Sequence, residues 1–134
     1  MSSTVIPTLR YEDAGAAIRF LVDAFGFTEH MVVEGDAGII EHAQLMHGSG
    51  MVMLGSDRNE NAYGEHVRAS GTTSIGLYVI VADVGAHYQQ ARAAGAEIVM
   101  EPEEQDYGGS GYTARDPEGN VWSFGDYDPW ADHG

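Results

Sequence analysis

The chain repeats itself. Landmarks of its first half return in the second at an offset of about 68 to 69 residues. Leu9 matches Leu77, Phe20 matches Tyr88, Gly26 matches Gly95 and Leu54 matches Ser123. Each half carries one amphipathic helix among four strand-like segments. A lone half would leave one sheet face uncovered, so the two halves must be solved together. This single feature excludes most architectures for a chain of 134 residues.

In the first half, Val5 to Arg10 reads as a strand, with Pro7 suited to its start. Asp13 caps a helix whose Ile18, Leu21, Val22 and Phe25 share one face, and Gly26 fits a left-handed C-cap. Phe27 to Glu34, Ile39 to His47 and Met51 to Gly55 read as three further strands, parted by glycine turns. Residues 56 to 72 are polar and read as a linker. In the second half, Ser74 to Val81 is a strand. Asp83 caps a helix presenting Val84, Tyr88 and Ala91. Strands follow at Glu97 to Glu101, stopped by Pro102, at Gly111 to Arg115 and at Val121 to Phe124. Asp116-Pro117-Glu118-Gly119 is a strong turn signal. The expected fold is α+β: two βαβββ modules, about 5–55 and 74–125, in one domain spanning 1–134. They should form a curved mixed sheet with helices outside and a concave cleft, the default ligand site.

Composition narrows the function. Six basic residues against 21 acidic ones give a formal net charge of −15. Such a chain repels nucleic-acid phosphates and attracts cationic ligands. No stretch is long and apolar enough to span a membrane, and the N-terminus does not read as a signal peptide. The cytoplasm is the expected location. Cysteine is absent, which removes disulfides, thiolate zinc sites and thiol catalysis.

Several segments carry a family resemblance. They are Thr8-Leu9-Arg10-Tyr11-Glu12-Asp13, Phe25-Gly26-Phe27, Glu41-His42-Ala43-Gln44-Leu45 with Met51-Val52-Met53-Leu54, and above all Ala114-Arg115-Asp116-Pro117-Glu118-Gly119-Asn120-Val121-Trp122-Ser123-Phe124. Together they resemble the vicinal oxygen chelate superfamily of glyoxalases, bleomycin resistance proteins and extradiol dioxygenases. Trp122-Ser123-Phe124-Gly125 is closest to the bleomycin-resistance-like branch. The resemblance implies paired modules, a homodimer, and in many enzyme members a divalent metal held by His, Glu or Gln from the first and fourth strands of each module. Those positions fall on Ile6, Leu54, Ser74 and Ser123, none a good donor for such an ion. No metal and no cofactor are expected.

Strand parity places the other candidates. Ala43 and Leu45 pack under the helices, so His42, Gln44 and Met46 line the cleft. His42 is the one histidine placed to act as a base or a ligand donor; the others read as solvated or hydrogen-bonded. With Ser123 facing the cleft, Trp122 and Phe124 are core. Tyr78 shares parity with Ser74, and Tyr107 sits in a loop at the cleft edge. The acidic run Glu101 to Asp106 is a solvated loop or a negative rim for a basic ligand. The expected ligand-binding set is Ile6, Thr8, His42, Gln44, Leu54, Ser74, Tyr78, Tyr107 and Ser123, with no assigned catalytic residue. The implied role is a metal-independent protein that binds a small organic molecule, sequestering an antibiotic or other cationic compound. The alternative is an enzyme of the same fold: a lyase, isomerase or dioxygenase.

Overall fold

The computed structural model describes residues 3–57, 75–104 and 108–130. The chain divides into two compact units at Ser74–Ile75. The linker expected at 56–72 lies almost wholly outside the described residues.

The first unit builds β1 (Thr8–Tyr11), α1 (Ala14–Phe25), β2 (Thr28–Glu34), β3 (Ile40–His47) and β4 (Gly50–Ser56). Its sheet has the order β1-β4-β3-β2, with β1 parallel to β4 and the other pairs antiparallel. Asp13 caps α1 by accepting a hydrogen bond from the Ala16 amide at 3.0 Å. Gly26 closes the helix at φ 82°, where a Cβ would be strained. Ala17, Ile18, Leu21 and Phe25 bury one face of α1. They meet Ala43, Leu45, Val52 and Leu54 on one side of the sheet.

The second unit repeats the plan with β5 (Leu77–Ile80), α2 (Val84–Ala93), β6 (Glu97–Glu104), β7 (Ser110–Arg115) and β8 (Val121–Gly125), in the order β5-β8-β7-β6. Asp83 caps α2 through the Ala86 amide at 3.0 Å. Val84, Tyr88 and Ala91 are its buried face. The two modules of four mixed strands and one helix are thus the α+β plan the repeat demands. Among the described residues, no helix is long and apolar enough to cross a membrane.

Most boundaries differ from the sequence reading by one residue, and four have a physical reason in the sheets. β1 starts at Thr8, not Val5; the Pro7 carbonyl already accepts from the Met53 amide at 2.9 Å, but proline offers no N–H to continue the ladder. Ser56 belongs to β4 and is buried, its hydroxyl accepting from the Ile40 amide at 2.9 Å. The second module's first strand starts at Leu77. β6 runs through Pro102 to Glu104, because Pro102 falls in a register shift on an edge strand, where no ladder hydrogen bond is lost.

The repeat itself is sharper in register than in sequence. Leu9 faces Leu54 and Leu77 faces Trp122 across the parallel pairs. The offset is therefore about 68 for both, so Leu54 corresponds to Trp122 and Ser123 to Gly55. It widens to about 70 between the capping Asp13 and Asp83 and to about 71 between Ala43 and Ala114, and returns to 68 because the β3–β4 ladder beyond Ala43 is longer than its counterpart. Ile18, not Phe20, is the helical counterpart of Tyr88.

The second module's core is aromatic. Trp122 and Phe124 are fully buried, and Tyr112 stacks on Phe124 with ring centroids 5.3 Å apart. The Tyr112 hydroxyl and His87 Nδ1 are hydrogen-bonded at 2.6 Å. Burial pushes the Tyr112 phenol well above its ordinary value of about 10. The folded state therefore keeps a proton that the unfolded chain releases above about pH 10. Below that pH the phenol adds no pH dependence; above it stability falls, by up to about 1.4 kcal/mol per pH unit. Urea unfolding at pH 9 to 11 should show this alkaline loss, and Tyr112→Phe should flatten it. An unchanged slope in the variant would refute the assignment.

Candidate functional site

Each sheet has a helix-covered face and a free face, and the strand period of two decides which side chains reach the latter. On the first sheet, Thr8, Met53, Gln44 and Met31 stand in one rung across the four strands. Arg10 pairs with Gly55, and His42 with Val33, in the rung beside it. Met46 and Met51 pair directly on the other side. The Gln44 amide nitrogen lies 3.1 Å from His42 Nε2. An amide nitrogen only donates, so this geometry makes the imidazole nitrogen an acceptor. Gly55 allows a close approach here: a Cβ would push the Arg10 guanidinium aside and come within 3.1 Å of the Glu41 carbonyl.

On the second sheet Tyr78, Ser123, Thr113 and Met100 form a rung, the counterpart of the one holding Arg10, Gly55 and His42. The Thr113 and Ser123 hydroxyls are hydrogen-bonded at 2.9 Å. The Tyr78 hydroxyl donates to the Tyr127 carbonyl at 2.7 Å, which fixes its ring. Beside this rung Gly111 pairs with Gly125. A Cβ on Gly125 would meet the Tyr78 hydroxyl at 2.7 Å and the Ser110 carbonyl at 3.0 Å. A hollow of about 140 Å³ is walled by Tyr78, Met100, Thr113 and Ser123, with Gly111, Glu101 and Glu103 among its lining residues, and the Tyr78 ring covers Gly125. Glu101 also accepts from the Tyr88 hydroxyl at 3.1 Å.

A family model for the glyoxalase/bleomycin resistance protein/dioxygenase superfamily matches residues 4–124. The chain belongs to this superfamily. An uncharacterized protein of Mycobacterium bovis is 36% identical over 121 residues, covering 89% of this chain and 80% of that protein. The crystal structure of TioX from Micromonospora is similar at 32% identity and a TM-score of 0.74, over 97% of this chain and 100% of that one. A superfamily enzyme from Burkholderia phytofirmans shares the fold at 23% identity and a TM-score of 0.66, over 88% of this chain and 93% of that one.

Within the superfamily frame, the expected site residues fall in different places. Thr8, His42 and Gln44 are on the free face of the first sheet; Tyr78 and Ser123 are together at the hollow of the second. Ile6 precedes β1 and is 37% exposed. Leu54 is a correction. It is 2% exposed, on the face covered by α1 and opposite Ala43. Aligning it with Ser123 slips the strand by one residue, and such a slip exchanges the two faces. Ser74 and Tyr107 lie outside the described residues. The acidic run is also corrected: Glu101, Glu103 and Glu104 are in β6 rather than a loop. Sequence reading missed Thr113, Met100, Met31 and Met53. Thr113 was available from the parity of Ala114, and Met53 from that of Leu54 once its face is corrected.

The metal question turns on the same register. Free-face positions on the first and fourth strands are Thr8, Arg10, Met51, Met53 and Gly55 in the first module, and Tyr78, Ile80, Val121, Ser123 and Gly125 in the second. They offer hydroxyls, thioethers and a guanidinium, but no carboxylate or imidazole. Among the described residues no group of three or more His, Cys, Asp or Glu side chains could hold a metal ion. These donors do not fit a divalent cation.

Proposed function

We propose that this protein binds and sequesters a small, flat, cationic organic compound without a metal, in the manner of the bleomycin-resistance-like members of its superfamily. The carrying observation is the rung of Tyr78, Ser123, Thr113 and Met100 around the hollow. An aromatic ring and a thioether offer contact to a flat ring, and a linked hydroxyl pair orients it. Glu101 and Glu103 at the hollow, on a chain of formal charge −15, complement a positive charge. The hollow of about 140 Å³ is smaller than a drug-sized pocket of roughly 300 to 1,000 Å³. It seats one ring or head group rather than a whole ligand.

The test is a thermal-shift titration with planar aromatic cations, starting with proflavine, beside zinc, nickel and manganese. Proflavine at 100 times its dissociation constant should stabilise the fold by about 2.7 kcal/mol. The divalent ions should give no saturable shift. Stoichiometric divalent metal held by protein side chains, with no organic cation binding, would instead favour a lyase, isomerase or dioxygenase.

A further inference from the structure

One residue of β6 stands on a face that its spacing alone would not give it. Met100 pairs with Thr113 and Glu103 with Gly111, so Glu101 and Pro102 together oppose the single residue Tyr112. Two residues against one is a β-bulge, and a bulge re-aims the side chains beyond it. In an unbroken strand Met100 and Glu103 would point to opposite faces. Here they share the free face, because their partners Thr113 and Gly111 do. Tyr112, between those partners, is buried on the helix side. Glu103 therefore borders the hollow on the same face as Met100, opposite Gly111, which sets no side chain next to the carboxylate. Glu101 is held differently. The Tyr88 hydroxyl of α2 donates to it at 3.1 Å, and the Tyr88 ring meets Tyr112 edge-on at 5.4 Å, so the Glu101 carboxylate is drawn toward the helix.

We propose that Glu103 is the residue that reads ligand charge at the hollow, and that it selects an aromatic cation bearing N–H donors, such as an amidinium or a protonated amine, over a quaternary ammonium. Selection of this kind rests on the proposed function and narrows its ligand class. A carboxylate only accepts hydrogen bonds, and an N–H group that carries the positive charge gives it a short, charge-assisted one. A quaternary ammonium has no such donor and is held instead by aromatic faces placed around it. The hollow does not provide them. Of its aromatic lining residues among those described, Tyr112 and Phe124 are buried on the helix side, and Tyr78 alone stands on the free face. Tyr78 and Met100 come from opposite edges of the sheet, β5 and β6. The ligand ring lies across the Thr113 and Ser123 hydroxyls, with its charged edge toward β6.

The experiment titrates the full chain by NMR with proflavine and with a set of one-ring probes. Benzamidine is a cation with N–H donors, phenyltrimethylammonium a cation without them, and benzamide the neutral counterpart. Benzamidine should bind at least about fivefold more tightly than either of the others. Glu103→Gln should weaken benzamidine about fivefold, a modest loss because the carboxylate is exposed, and should leave benzamide within about twofold. Glu104→Gln removes the same charge from the next residue, whose cross-strand partner Ser110 shares the parity of buried Tyr112. It should leave every probe within about twofold. Equal losses in the two variants would reduce the effect to the overall negative charge and overturn the proposal, as would phenyltrimethylammonium binding as tightly as benzamidine. A parent that binds proflavine but gives either of these results keeps the proposed function and loses only the assignment of Glu103. A parent that binds neither proflavine nor any one-ring probe loses both.

Discussion

Replacing Asp116 with alanine should lower the unfolding free energy by about 3 kcal/mol and the melting temperature by about 10 °C. Asp116 is 5% exposed. Its carboxylate accepts from the Glu118 and Asn120 amides at 3.0 Å, the Asn120 side chain at 3.0 Å and the Trp122 indole at 3.1 Å. Charge-assisted bonds of this kind are worth more than neutral ones, and truncation leaves the fully buried indole N–H without its acceptor. Asp116→Asn should recover part of the loss, because the amide oxygen can still accept while its NH₂ group faces another donor. Urea unfolding at neutral pH checks both. A loss below about 1 kcal/mol for the alanine variant would contradict the role given to the turn.

The second large effect belongs to the hollow. Ser123→Phe should weaken proflavine binding more than 100-fold and leave the fold in place. The new ring would grow from the free face of β8 into the hollow, away from the core. Leu54→Trp is the contrasting substitution. Leu54 lies under α1, so added volume there should cost about 1 to 3 kcal/mol by overpacking. Calorimetric titration with denaturation of each variant separates the two. If Ser123→Phe binds like the parent, the second sheet's hollow is not where the ligand sits.

Much of this was legible in the chain before any coordinates. The repeat, both capping aspartates and the parity of Ala43, Leu45, Trp122 and Phe124 required only local chemistry and the strand period. What failed was register. Leu54 and Ser123 match by eye, yet the parallel pairing sets Leu54 beside Trp122 in the repeat, and no local signal reports which residue of β1 faces which of β4. The same holds for Pro102: its place at an edge strand depends on strand order, a property of the whole sheet. The most recognisable motif, Asp116 to Trp122, proved to be a turn clasp. It marks the family clearly because it is structurally demanding. The hollow was hidden for the opposite reason, since it depends on the pairing of Tyr78, Ser123, Thr113 and Met100 across four strands, with Gly111 contributing only the absence of a side chain.

The parallel pairing of each module's first and last strands also shapes how the chain reaches its fold. Leu9 and Leu54, like Leu77 and Trp122, lie about 45 residues apart, so each module must close a long loop before its outer strand can dock. The antiparallel meander of β2, β3 and β4 needs only short turns and can assemble first. Before β1 docks, β4 presents an unpaired backbone edge, and Val52 and Leu54 on its helix side await cover. Short turns within the meander and a long loop before the outer strand predict that the parallel pair of each module forms last.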